Sequence, residues 1–168
     1  TLLIEEPPGL LIHESATVSN VWPMSPCYSG LVLFDPAKSQ ESVDTVIPEL
    51  AERWSWQDNY RNLVFFLKKN VKWHDGRPFT SRDVKYTFDV VREAPDAPAK
   101  LRLSARKDWY ANVESIEAHD KYTVVFKLNK PNSRFHSLFT VRWNAAWMAS
   151  GIIRSRPSRR STTRTSPR

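Results

Sequence analysis

The stretch "VKWHDGRPFTSRDV", residues 71–84, puts a histidine, two aspartates, two hydroxyls, a glycine and a proline within fourteen positions. Two chemistries use such residues. A nucleophilic triad would need His74 as base, Asp75 as its orienting acid and a hydroxyl as nucleophile, all converging on one point; adjacent residues in a turn point apart. A metal centre would need about three or four convergent ligands. The four histidines, at 13, 74, 119 and 136, show neither the HxH nor the HExxH spacing. The residue types fit a structural role better. His74-Asp75-Gly76 reads as a turn in which Gly76 takes positive φ, after Val71 to Trp73 extend a strand edge, and Pro78 fixes the exit. Thr80 reads as a helix N-cap, with Asp83 three residues on reaching back to its amide.

The elements around this stretch follow from periodicity and turn chemistry. After Thr80, the apolar residues Val84, Phe88 and Val91 recur at i, i+4 and i+7, predicting an amphipathic helix stopped by Pro95. Upstream, Arg53 to Trp56 and Asn62 to Leu67 read as a hairpin through Asp58-Asn59, and Pro48 precedes a short helical turn, "ELAERW". Downstream, Val113 to Ala118 and Thr123 to Leu128 form a second hairpin through His119-Asp120-Lys121. Val124, Phe126 and Leu128 lie on its buried face, and Thr123, Val125 and Lys127 on the other. Nearer the start, Pro7-Pro8-Gly9 breaks an apolar run, and Leu31 to Phe34 reads as a strand closed by Asp35-Pro36. Trp54, Trp56 and Trp73 are assigned to the core.

Composition bounds the function. With 168 residues, 40% of them hydrophobic, the chain has apolar mass for one ordinary domain. No apolar run approaches the length of a membrane span. The single cysteine, Cys27, excludes an intrachain disulfide and a multi-thiolate metal site. A net charge of +7 raises nucleic acid or an anionic surface as a partner. Residues 151–168, "GIIRSRPSRRSTTRTSPR", hold six of the basic residues and no acid, so the rest of the chain carries 19 against 18. The tail cannot bury enough apolar surface to offset its ordering entropy and reads as a disordered basic segment, or as an arm for phosphates.

The run "VIPELAERWSWQDNYRNLVFFLKKNVKWHDGRPFTSRDVKYTFDVV", residues 46–91, resembles the signature region of the family 5 extracellular solute-binding proteins, the peptide and nickel receptors of ABC importers. The matching positions are Pro48, Leu50, Ala51, Trp54, Phe66, Leu67, Lys68, Val71, Trp73, Asp75, Gly76, Thr80, Asp83 and Val84. The likeness continues into "PCYSGLVLFDP" and "KPNSRFHSLF" and covers about residues 7–148. Lys68, Asn70 and Ser29 depart from the usual arginine, glycine or acid, and acid at their positions.

The resemblance implies an α+β chain: part of the α/β two-lobe periplasmic binding protein type II fold, comprising the start of lobe one and most of its extra β-rich subdomain. It implies lobe-one residues 1–45, the subdomain at 46–150 and the tail at 151–168. It implies a receptor and no enzyme: a monomer, periplasmic or otherwise extracytoplasmic, that takes a small solute such as an oligopeptide to an ABC permease in the membrane, with no cofactor and no nucleic acid. Family chains run to roughly three times this length. Where the likeness ends near Met148, a frameshifted or truncated gene product is the expectation, set against a natural extension; an inactive relic is the alternative to a binding function. Interruption of lobe one would leave an unpaired edge near Leu31 to Phe34.

Ligand-facing candidates under this resemblance are Ser15, Thr17, Asn20, Val21, Tyr28, Trp109 and Arg142. Each has a plainer competitor. Ser15, Thr17 and Asn20 are either solute contacts or loop caps, and Tyr28 either faces solute or packs beneath the strand at Leu31. Trp109 is either an exposed platform for a solute or core. Arg142 either holds a carboxylate bidentately or is a surface charge.

Overall fold

The computed structural model describes residues 11–14, 17, 21 and 25–141. Within it, two sheets meet over one apolar core. The smaller has β1 (Val32–Phe34) at its centre, antiparallel to β2 (Val46–Pro48) and parallel to β7 (Thr140–Val141). The larger is fully antiparallel in the order β3 (Ala51–Gln57), β4 (Asn62–Leu67), β6 (Thr123–Leu128), β5 (Val113–Ala118). The helix α1 (Ser81–Val91) packs on the β5 and β6 side of this sheet.

The local signals are realised where they rest on short-range chemistry. The hairpin β5–β6 has the expected bounds, and Val124, Phe126 and Leu128 are buried on one face. The β3–β4 turn runs through Asp58, Asn59 and Tyr60, all at positive φ, and Asp and Asn tolerate that backbone better than most residues. Gly76 takes φ +81° in the turn after His74. At the start of α1 the Asp83 carboxylate accepts both the Thr80 amide (2.9 Å) and the Thr80 hydroxyl (3.0 Å). Ser81 fixes the helix to the β5–β6 turn, its amide donating to the Lys121 carbonyl (3.0 Å) and its hydroxyl to the Asp120 carbonyl. Val84, Phe88 and Val91 are fully buried, as the spacing requires. The helix ends ahead of Pro95, with Glu93 already in the left-handed region.

Four expectations are corrected. "ELAERW" is no helical turn. The amides of Glu49, Leu50 and Ala51 donate to the carbonyls of Leu31, Gly30 and Leu31, and Lys68 donates to Leu50, so these groups are spent on neighbouring strands and the chain passes extended from β2 to β3. The strand at Leu31 to Phe34 is not an edge in the described structure, because β2 and β7 flank it. Val71 to Trp73 extends no sheet; it pairs back on residues 77–79 through the Lys72–Pro78 bridge, with Trp73 donating to Arg77 (2.8 Å) and Phe79 to Val71 (3.1 Å). Trp54, Trp56 and Trp73 are only partly buried, lying against the core rather than within it.

The core contains a cluster of aromatic rings. Phe139, fully buried, lies with ring centroids 4.6 Å from Phe126, 5.0 Å from Phe88, 5.2 Å from Phe65 and 5.4 Å from Phe135. Since Phe139 immediately precedes β7, this one ring ties the smaller sheet to the larger sheet and α1.

Candidate functional site

The opening motif closes no site. His74 is exposed, and the Asp75 carboxylate accepts the Arg77 amide (3.2 Å), an ordinary turn contact. Among the described residues no group of three or more His, Cys, Asp or Glu could hold a metal ion. Also among them, no helix is long and apolar enough to cross a membrane.

The residues singled out in the sequence divide by location. Ser15, Asn20 and Arg142 lie outside the described residues, as does the basic tail at 151–168. Thr17 is exposed. Val21 is buried against Ile12, and Tyr28 packs half-buried on this pair rather than beneath Leu31, a further correction. The Tyr28 hydroxyl hydrogen-bonds the Ile12 backbone, and burial pushes its pKa up. These residues form a small apolar knot apart from the main core.

Glu14 connects that knot to the loop that carries Trp109. Its carboxylate accepts the Arg102 backbone amide (2.9 Å) and side-chain Nε (2.8 Å), and lies 2.7 Å from Nη2. Hydrogen bonding to Arg102 holds the Glu14 carboxyl below the usual carboxylate range. From Arg102 the chain runs through Ser104 and Arg106 into a 3-10 turn, Lys107–Tyr110, that presents Trp109. Trp109 is partly buried on the main core. The structure thus brings Val21, Tyr28 and Trp109 onto two segments that one carboxylate joins.

Two groups here were passed over in the sequence. Arg106 is fully buried, its guanidinium 5.5 Å from the Trp109 ring centroid. Burial lowers its pKa, and it in turn lies close enough to Tyr110 to act on that group's charge. The signal available was an arginine three residues before a tryptophan, which a 3-10 turn brings onto one side. His136 is the second. It is stacked on Trp54 at 5.5 Å and edge-on to Trp56 at 6.1 Å, and burial lowers its pKa. Its position depends on contacts across some eighty residues, and nothing local announces it.

A further carboxylate marks the junction of the two sheets. Glu49 accepts the Gly30 amide at 2.8 Å, and burial raises its pKa against the opposing effects of Gly30, Ser29 and Lys68. An open cavity of about 300 Å³ lies on the other face of the larger sheet, lined by Arg53, Phe66, Lys69, Asp120 and Tyr122 among others. Arg53 sits 3.5 Å above the Phe66 ring and covers part of that cavity's floor.

Comparison with known proteins places this geometry. Residues 45–149 match the bacterial extracellular solute-binding proteins, family 5. The "Probable D,D-dipeptide-binding periplasmic protein DdpA" of Escherichia coli is 32% identical over 118 residues, which are 70% of this chain and 21% of that protein. The dipeptide-binding protein of the same organism is 28% identical over 121 residues, covering 66% of this chain and 22% of its own length. Among solved structures, MoaA of A. tumefaciens R10 in complex with mannopinic acid superposes with a TM-score of 0.71 at 25% identity, covering 89% of this chain and 28% of that one. AppA of Bacillus subtilis with a nonapeptide gives 0.66 at 27% identity, covering 89% and 26%. The chain therefore spans about a fifth of the length of these curated relatives. The mixed α/β architecture is part of the type II periplasmic binding protein fold. With its family's profile matched over most of its length, the chain belongs to the bacterial extracellular solute-binding proteins, family 5.

Proposed function

We propose that this chain supplies the first-lobe side of the solute pocket of an extracytoplasmic importer receptor, and that the solute bears a carboxylate read by Arg106 beside Trp109. The observation that carries the reading is the fully buried guanidinium held 5.5 Å from the Trp109 ring, on the loop that Glu14 ties to Val21 and Tyr28. A planar guanidinium matches a carboxylate bidentately, and a neighbouring indole offers an apolar face to the rest of the solute. The solutes named for relatives at 25% identity or more, mannopinic acid, a nonapeptide and the peptide RPPGFSPFR, all carry carboxyl groups. In this reading Val21 and Tyr28 shape the wall, and Ser15, Thr17, Asn20 and Arg142 stand as further contacts. Residues 1–45 belong to lobe one and 46–150 to its added subdomain. The receptor is a monomer that catalyses no reaction, uses no cofactor, and hands an oligopeptide or similar solute to an ABC permease.

Because affinity in a two-lobe receptor comes from enclosing the solute between lobes, one lobe alone should bind weakly, with Kd roughly millimolar. The test is calorimetric titration of the chain with the dipeptide Met-Leu and with its C-terminal amide. Saturable binding of the acid, lost in the amide and in Arg106→Met while circular dichroism stays unchanged, supports the reading. Equal binding of acid and amide, or none by the native chain, overturns it.

A further inference from the structure

The loop from Arg102 to Lys107 carries the fully buried Arg106, yet most of it has no apolar anchorage. Leu103 is 62% exposed, and residues 102, 105 and 107 are also exposed. Segments with few buried contacts open locally unless polar contacts hold them. Here two sets of polar contacts do so, one at each end. Glu14, from the N-terminal 3-10 turn, takes the Arg102 amide and side chain. Glu93, just past α1, accepts the Ser104 hydroxyl at 2.7 Å through Oε1 and the Lys107 ammonium at 2.6 Å through Oε2. Glu93 adopts φ +53°, an unfavourable backbone for a non-glycine residue. Lys107 holds the Glu93 carboxyl below its ordinary pKa, and Arg102 does the same for Glu14, so both are ionised at neutral pH.

We infer that residues 102–107 are a strap latched by two carboxylates from separate elements, Glu14 and Glu93, and that unlatching it is what gives a solute access to Arg106. The inference rests on the reading of Arg106 as a solute contact for its purpose, though the latch itself does not depend on it. Charged latches suit such a strap because they are made and broken at the surface without disturbing the aromatic core beneath, where Tyr110 remains packed on Phe88. Neither carboxylate alone spans the strap: within it, among the described contacts, Glu14 takes Arg102, and Glu93 takes Ser104 and Lys107. Release of one end should therefore loosen the strap partly, and release of both should free it.

The experiment uses the whole 168-residue chain and no solute. Phenylglyoxal, a small reagent that modifies accessible arginines, is applied to the native chain, Glu14→Gln, Glu93→Gln and the double variant, and the modified sites are read by mass spectrometry. Arg82, exposed on α1, is the internal reference. Amide hydrogen exchange is followed on the same samples. In the double variant, Arg106 modification relative to Arg82 and exchange over residues 103–107 should rise about tenfold or more, with smaller rises in the single variants and less than about twofold change in β4 and β6. Pairing Glu93→Lys with Lys107→Glu should restore protection lost in Glu93→Lys alone. Unchanged Arg106 modification in the double variant overturns the inference. So does equal acceleration in β4 and β6, which would make these carboxylates general stability contacts. Failure of the peptide titration leaves these readouts untouched, so the two ideas fail separately.

Discussion

Replacement of Phe139 by alanine should be the most damaging single change to the described structure. The ring is fully buried and lies within 6.1 Å of five other aromatic rings, those of Phe65, Phe88, Tyr110, Phe126 and Phe135. Truncating a core phenylalanine costs about 3–5 kcal/mol, combining lost transfer energy with the cavity left behind. The upper part of that range applies here for two reasons. The neighbours are rigid rings on five segments, one of them its own 3-10 turn, that cannot all collapse inward, and edge-to-face pairs add about 0.5–1.5 kcal/mol each beyond area, not additively. Against a total stability of about 5–15 kcal/mol for a domain, this is a third or more. Phe139→Leu keeps most of the volume and should cost clearly less, about 1–2 kcal/mol. Urea unfolding followed by tryptophan fluorescence and far-ultraviolet circular dichroism gives both values. A loss under about 1.5 kcal/mol for the alanine variant, or equal losses for alanine and leucine, would refute the argument that this ring joins the two sheets.

Two further outcomes follow from the polar contacts. Asp83→Ala removes the acceptor for the Thr80 amide and hydroxyl at the start of α1 and should cost about 1–2 kcal/mol in the same urea experiment; a neutral result would mean that water replaces the carboxylate without loss. His136 sits neutral against Trp54 and Trp56, with its pKa lowered from 6.5 by burial. A depressed histidine pKa means that the unfolded chain binds the proton first, so its contribution is complete above about pH 6.5 and falls as pH drops toward the folded pKa. The slope is at most about 1.4 kcal/mol per pH unit. Glu49, raised by burial, acts with the opposite sign, but it is present in both proteins and so drops out of a comparison between about pH 5.5 and 7.5. Melting curves of the native chain and His136→Phe should converge as pH falls through this window. Parallel curves would show that His136 does not titrate differently on folding.

What the sequence determined by itself is what neighbours in the chain can decide. Alternation set the buried face of Thr123 to Leu128, the i, i+4, i+7 spacing set the buried face of α1, and Thr80 with Asp83 set its start, because each depends on residues a few positions apart. The density of fixed spacings between Pro48 and Val84 was enough to indicate the family, which the matched profile bears out. Tertiary structure decided the rest wherever the partner lies far along the chain. "ELAERW" has the composition of a helical turn, yet the carbonyls of Gly30 and Leu31, about twenty residues earlier, take its amides and keep it extended. Leu31 to Phe34 gained its second neighbour only from residues 140–141, more than a hundred positions on. The site followed the same rule. Trp109 was visible as an aromatic in a polar setting, but burial of Arg106, the reach of Glu14 to Arg102 across 88 positions, and the stacking of His136 on Trp54 are properties of the packed chain. A charge next to an aromatic can be read in sequence; whether water reaches that charge depends on which segments fold over it.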